Sequence, residues 1–200
     1  MSSKSRQLDS VCVYCASSNA AAPEFLAAAD SLGTILAREG LRLVYGGGGV
    51  GLMGACAKAA HAAGGRVLGI IPHFLTSHER PLKTVETIVV NSMHERKMMM
   101  FEEADAFAIL PGGIGTLEEV VELLSWRRLG LHAKPIVFLN LNGFWAPMFE
   151  LLEHILDQNL VPQEFRECWR SVDKVEDLLP AMRDMPTLAF MTPPGVEEMT

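Results

Sequence analysis

The sequence predicts an α/β protein: a single doubly wound, Rossmann-like domain with a mainly parallel sheet of about six or seven strands and helices on both faces. Three observations lead there. Short β-branched apolar runs alternate with Ala- and Leu-rich amphipathic stretches. Most of the runs are nearly continuous in apolar residues, as strands buried on both faces should be. Two glycine-rich segments each join such a run to a helical stretch, the place where open α/β sheets bind ligands.

In chain order, the first strand is expected over 11–16 (VCVYCA), followed by a helix over 24–38, a strand over 41–45 (LRLVY) and a helix over 52–63. Strands over 66–71 (RVLGII) and 87–90 (TIVV) come next, then a helix over 93–103. A strand over 106–110 (AFAIL), a helix over 117–129, a strand over 135–139 (PIVFL) and a helix over 144–158 complete the regular pattern. Past Val161 the pattern weakens, with one short helix around 175–182 and a loosely ordered tail over 185–200. The domain is expected to span 11–184 behind a flexible start over 1–10, with no internal repeat, low-complexity tract or dividing linker.

The chain has 200 residues, 49% hydrophobic and 20% charged. That is long enough for one domain to bury roughly 70% of the surface its unfolded chain exposes, which excludes a disordered tail protein. With 17 Lys+Arg against 24 Asp+Glu, the net charge is −7. This balance argues against a nucleic-acid polymer or an anionic membrane as partner, so any phosphate must be held locally. No apolar stretch approaches the roughly 18 to 20 residues of a spanning helix, and the polar start MSSKSRQLD lacks the core of a secretory signal. A cytoplasmic location is the expectation.

Cys12, Cys15, Cys56 and Cys168 are too few for a disulfide scaffold and are read as reduced thiols. Cys12 and Cys15 spell C-x-x-C, but inside an apolar run and with no second pair at zinc spacing; they read as small buried strand residues. His61, His73, His78, His132 and His154 show no ligand spacing and His94 has no evident acidic partner, so no metal and no cofactor are expected.

The first glycine segment is Tyr45-Gly-Gly-Gly-Gly-Val-Gly-Leu-Met-Gly54, and the second is Pro111-Gly-Gly-Ile-Gly-Thr-Leu-Glu-Glu119. Glycines let the backbone approach a ligand, and a helix start offers free N–H groups and a positive dipole end to an anion. Residues 49–54 match G-x-G-x-x-G, but the next strand ends Gly69-Ile-Ile-Pro-His73 without the carboxylate that a dinucleotide's ribose requires, so a dehydrogenase is not expected. A P-loop is absent because no Gly-Lys-Ser/Thr occurs. A small phosphorylated ligand such as a mononucleotide remains, against the plainer reading that the glycines only make tight turns.

Ser92 and Glu95 have capping-box spacing at the next helix start, which gives Glu95 a structural role. Arg96 and Lys97 oppose the macrodipole there, so Arg96 points to an anionic partner or, more plainly, a surface ion pair. Thr116 and Glu119 also have capping-box spacing. A carboxylate one turn inside a phosphate-binding helix start nevertheless lies where the ribose of a nucleotide would reach. Met98, Met99 and Met100 read as core filling.

Together these residues resemble the LONELY GUY family, the cytokinin riboside 5′-monophosphate phosphoribohydrolases. The family pairs P-G-G-x-G-T-x-x-E, here Pro111 to Glu119, with M-H-x-R-K, here Met93 to Lys97. The glycine stretch 46–54, the segment Cys15-Ala-Ser-Ser18 and the run Trp126-Arg-Arg-Leu-Gly-Leu-His132 with Lys134-Pro135 are similar too, and the likeness extends from about Val11 to Leu179. The resemblance implies hydrolysis of the N-glycosidic bond of an N6-modified adenosine 5′-monophosphate to free base and ribose 5-phosphate, without a cofactor, by a homodimer. It implies Arg96 and Glu119 as the catalytic pair. Gly112, Gly113, Ile114, Gly115, Thr116, Leu117 and Glu118 would hold phosphate and sugar, with Ser17, Gly47, Gly48, Glu79, Met93, Lys97 and Ser125 contributing to the substrate site. Ala16 and Ser125 depart from the Gly and Thr common in the family, which bears on substrate preference. Some relatives carry the label lysine decarboxylase, yet nothing here marks out a pyridoxal phosphate lysine.

The chemistry fits these residue types. Breaking an N-glycosidic bond builds positive charge on the ribose, which a carboxylate stabilises while it orients or deprotonates the attacking water. Arg96 could serve the electron-rich leaving base or hold the phosphate. A nucleotide-binding carrier or sensor without hydrolysis is the alternative. The stretch Val120 to Leu131, with Leu123, Leu124, Trp126, Leu129 and Leu131, is too apolar for a helix with one wet face and also suggests a homodimer.

Overall fold

A computed structural model describes residues 6–186 of the chain. The strands are β1 (Ser10–Tyr14), β2 (Arg42–Tyr45), β3 (Val67–Pro72), β4 (Glu86–Val90), β5 (Ala106–Ile109), β6 (Ile136–Leu139) and β7 (Arg170–Val172). They form one all-parallel sheet in the order β4-β3-β2-β1-β5-β6-β7. Helices α1 (Pro23–Arg38), α2 (Gly51–Ala62), α3 (Thr76–Glu79), α4 (Met93–Glu102), α5 (Ile114–Arg128), α6 (Ala146–Asp157) and α7 (Leu178–Asp184) connect the strands.

Side chains alternate across each strand, so the sheet separates two cores. Val11, Val13 and Cys15 pack with Leu32 and Leu36 of α1, Leu52 and Cys56 of α2 and Leu178 of α7. Cys12 and Tyr14 point to the other layer, with Met100 of α4, Val120 and Leu123 of α5, and Leu152 of α6. The C-x-x-C cysteines therefore lie on opposite faces of the sheet, Cys12 within β1 and Cys15 buried just past its end. Burial raises both thiols well above their ordinary pKa.

The six expected strands and five long helices all form, with no boundary moved by more than three residues. The edge strand β7 was not placed by the sequence, nor was the polar segment of a 3₁₀ turn (His73–Leu75) and α3 after β3. The chain joins the fold before residue 11: Ser10 opens β1 and Leu8 is buried in the core. Of the tail expected over 185–200, Met185 is buried and 187–200 lie outside the described residues. No described helix is long and apolar enough to cross a membrane.

What this topology does for function is set at β1. Its neighbours are β2 on one side and β5 on the other, so the connections run away from it in both directions. Such a switch point opens a crevice beyond the carboxyl ends of the strands. Both glycine segments reach it, one leaving β2 and the other leaving β5.

Candidate active site

A cavity of about 350 Å³ occupies this crevice. Its floor is the end of β1 and the residues that follow, from Val13 to Ser18. Gly46 and Met53 come from the first glycine segment, Glu79 from the end of α3, and Met93, Arg96 and Met100 from α4. Gly113 to Thr116, Glu118 and Glu119 supply the remaining wall from the start of α5.

The two helix starts behind the glycine segments are not equivalent. At α2, the Gly51 N–H donates to Asn19 Oδ1 at 2.9 Å, and the Leu52 and Met53 N–H groups donate to the Ala16 carbonyl at 3.0 and 3.3 Å. Its first-turn donors are spent inside the protein. Of the two helix starts expected to meet an anion, that of α2 therefore has no first-turn donor to offer, and the first segment lines the cavity through Gly46 and Met53. At α5, the N-cap is Gly113 with extended backbone and no side chain caps the helix. Its first turn lines the cavity, so unpaired N–H groups and the positive dipole end face the ligand space.

This register also removes the second capping box. Because α5 begins at Ile114, Thr116 is already at its third residue and Glu119 one turn further on. Both are buried, and Glu119 caps nothing. Burial pushes its carboxyl up to about 7, with the Arg96 cation pulling in the opposite direction. At α4 the capping box forms: the Glu95 N–H donates to Ser92 Oγ at 3.1 Å, and the Glu95 carboxylate reaches back to the Asn91 N–H at 2.7 Å.

Arg96 is 5% exposed, which ends the surface ion pair reading. Its Nη2 donates to the Gly46 carbonyl at 3.1 Å and its Nη1 contacts the Met93 sulfur at 3.8 Å, while Nε is buried without a partner. Among the described residues no salt bridge reaches it. A cation held only by neutral acceptors beside a cavity is poised for an anionic or electron-rich ligand. The chain turns here at Gly47, whose φ of 79° favours glycine.

Not every expected site residue meets the cavity. Ser17, Glu79, Met93, Arg96, Gly113, Ile114, Gly115, Thr116, Glu118 and Glu119 line it. Gly47 and Gly48 are buried, Gly48 against Met53 and Glu79 of the cavity wall, and Gly112 packs on Thr116. Lys97 turns away to pair with Glu118 at 2.5 Å and Glu122 at 2.9 Å. Leu117 and Ser125 lie on an adjoining outer groove with Val121 and Trp126. The Gly46 carbonyl, Tyr14, Cys15, Met53 and Met100 also line the cavity and were not singled out as site residues. Their positions at strand ends, or one turn from Arg96, were the available signal.

A doubly wound parallel sheet with a half-open cavity at its switch point defines a ligand-binding protein of the Rossmann-like class. Comparison then narrows the class. The family described as possible lysine decarboxylase matches residues 53–182. A cytokinin riboside 5′-monophosphate phosphoribohydrolase of Arabidopsis thaliana is 41% identical over 84% of this chain and 75% of its own. One from Oryza sativa subsp. japonica is 39% identical over 84% and 70%. The chain belongs to this family, the LONELY GUY phosphoribohydrolases. Among solved structures, a molybdenum cofactor binding protein of the bacterium Rippkaea orientalis is similar with a TM-score of 0.65 and 26% identity, over 88% of this chain and 96% of that one.

Proposed function

We propose that this protein hydrolyses the N-glycosidic bond of adenosine 5′-monophosphates, N6-modified ones included, releasing the base and ribose 5-phosphate. The observation that carries this reading is the placement of Glu119. A carboxylate with its pKa near 7 stands one turn behind an open helix start, in the same cavity as a buried, unneutralised arginine.

A 5′-phosphate accepts from the first-turn N–H groups of α5, which puts the ribose beside Glu119. The bond between C1′ and the base nitrogen lengthens, and positive charge grows on the ribose. The ionised Glu119 stabilises that charge and takes a proton from the water attacking C1′. Arg96 stabilises negative charge in the same cavity. A fixed, partly desolvated cation contributes more there than in water.

A carrier role is the second reading, since a solved structure of similar fold is named for binding a cofactor. Binding alone gives no reason to hold a carboxylate near neutrality beside an arginine, and this favours hydrolysis. Incubation with AMP and isopentenyl-AMP should release free base, measured by chromatography, while the unphosphorylated ribosides should react far more slowly. Micromolar binding with no base released over hours would return the protein to the carrier class.

We further propose that the working form is a cytoplasmic homodimer, its unit the domain expected over 11–184 together with Leu8 to Ser10 and Met185, which pack into it. Ile114 is 83% exposed at the cavity mouth, and Val121, Leu129 and Leu131 continue an exposed apolar strip along α5 and past its end. A second copy laid on this strip would cover it and border the cavity.

A further inference from the structure

Glu79 is a carboxylate that the mechanism above does not use. It ends α3, the polar segment after β3, and the Gly49 N–H fixes its backbone by donating to the Glu79 carbonyl at 2.7 Å. Glu79 lines the cavity, and its Oε2 is packed beside Gly48, sealed from solvent and without a hydrogen-bond partner. A buried carboxylate oxygen without a donor is costly as an anion, a cost that a proton on the group relieves.

The sheet order says which end of a ligand it meets. The phosphate site is at the end of β5, while Glu79 follows β3. Glu79 packs beside Gly48, in the segment that leaves β2, so it and the start of α5 stand on opposite sides of β1. A nucleotide with its phosphate on α5 and its ribose at Glu119 therefore extends its base toward Glu79. We propose that Glu79 is the proton donor to the leaving base, so that the site is a two-carboxylate glycosidase site. This rests on the hydrolytic reading given above.

The step balances. As the C1′–N bond breaks, its electron pair passes to the purine and the Glu79 proton moves to a ring nitrogen. Water adds its oxygen to C1′ and gives a proton to Glu119, and solvent returns each carboxyl to its starting state. Burial holds the Glu79 carboxyl above its ordinary pKa, against the pull of Arg96, which helps it stay protonated. Arg96 from α4 and Glu119 from α5 are the charged groups facing it, with the Cys15 thiol of β1 nearby.

The test compares two leaving groups in Glu79→Gln, with folding checked by its melting temperature. AMP needs a protonated leaving base; a 4-nitrophenyl riboside 5′-phosphate does not. Turnover of AMP should fall by about 10²- to 10⁴-fold and that of the nitrophenyl compound by less than about tenfold. Glu79→Asp, which keeps an acid but withdraws it, should show the same bias in weaker form and serves if the Gln variant does not fold. Equal losses on both substrates, or no loss on AMP, would overturn the assignment. Failure of the unaltered protein to cleave either compound would instead overturn the hydrolytic reading on which it rests.

Discussion

The guanidinium of Arg96 donates to the carbonyl oxygen of Gly46 at 3.1 Å, and a methyl group built on residue 46 would overlap that same Nη2. The first glycine segment therefore fixes the position of the arginine and leaves no room for any side chain. Gly46→Ala should displace the guanidinium by about an ångström and lower turnover roughly a hundredfold. Kinetics at saturating AMP, beside a thermal melt showing a folded protein, are the check.

Arg96 itself should contribute little net stability. It is buried, its Nε has no partner, and no salt bridge among the described residues neutralises it. Replacing the cation by an apolar side chain of similar length removes its desolvation cost, offset by the loss of its hydrogen bond to Gly46 and of its attraction to Glu79 and Glu119. Arg96→Met should melt close to the temperature of the unaltered protein and lose at least about a hundredfold in turnover. A large drop in melting temperature would show that the arginine is structural.

The pH dependence of stability and of activity should run in opposite directions. Glu119 is raised from an ordinary 4.5 to about 7 in the folded protein. Below pH 4.5 both folded and unfolded forms hold the proton and Glu119 contributes nothing. Between these values the folded form binds more protons than the unfolded one, so stability falls as pH rises. The full cost, of order 3 kcal/mol at most, is reached above pH 7. Glu119→Gln should therefore be more stable than the unaltered protein at pH 8, by about 1–3 kcal/mol in denaturant titrations, and equal to it near pH 4. Turnover of the unaltered protein should rise through pH 7 as the same carboxyl ionises.

Much of this was legible in the sequence because the strands are buried on both faces. Runs such as Phe107, Ile109 and Val137 can belong only to a covered parallel sheet. Arg96 was legible because a cation at a helix start needs a reason. Strand β7 was not, since its three residues are partly exposed and carry no apolar run. Nor were the polar turns of α3, which bring Glu79 into the cavity. The start of α5 misled for a physical reason. Thr116 and Glu119 have capping spacing, but Gly113 takes extended backbone three residues earlier and the helix begins there. The difference between the glycine segments depends on Asn19 and Ala16, residues far enough away in sequence that no local pattern exposes their bonds to α2.

Assembly can be tested on the exposed strip of α5. Val121 is 52% exposed and makes no contribution to the cavity wall. Val121→Asp should leave the fold intact and convert a light-scattering mass near twice 21.9 kDa into the single-chain value at micromolar concentration. A dimeric mass that survives the substitution would place the interface elsewhere.

The most direct measurement is the turnover of Glu119→Gln with AMP. Gln keeps the size and hydrogen-bonding capacity of the side chain but carries no charge for the ribose and cannot take a proton from water. The variant should fold, bind the nucleotide with nearly unchanged affinity, and release base at least about a hundredfold more slowly. Near-normal turnover in that folded variant would contradict the central role given to Glu119.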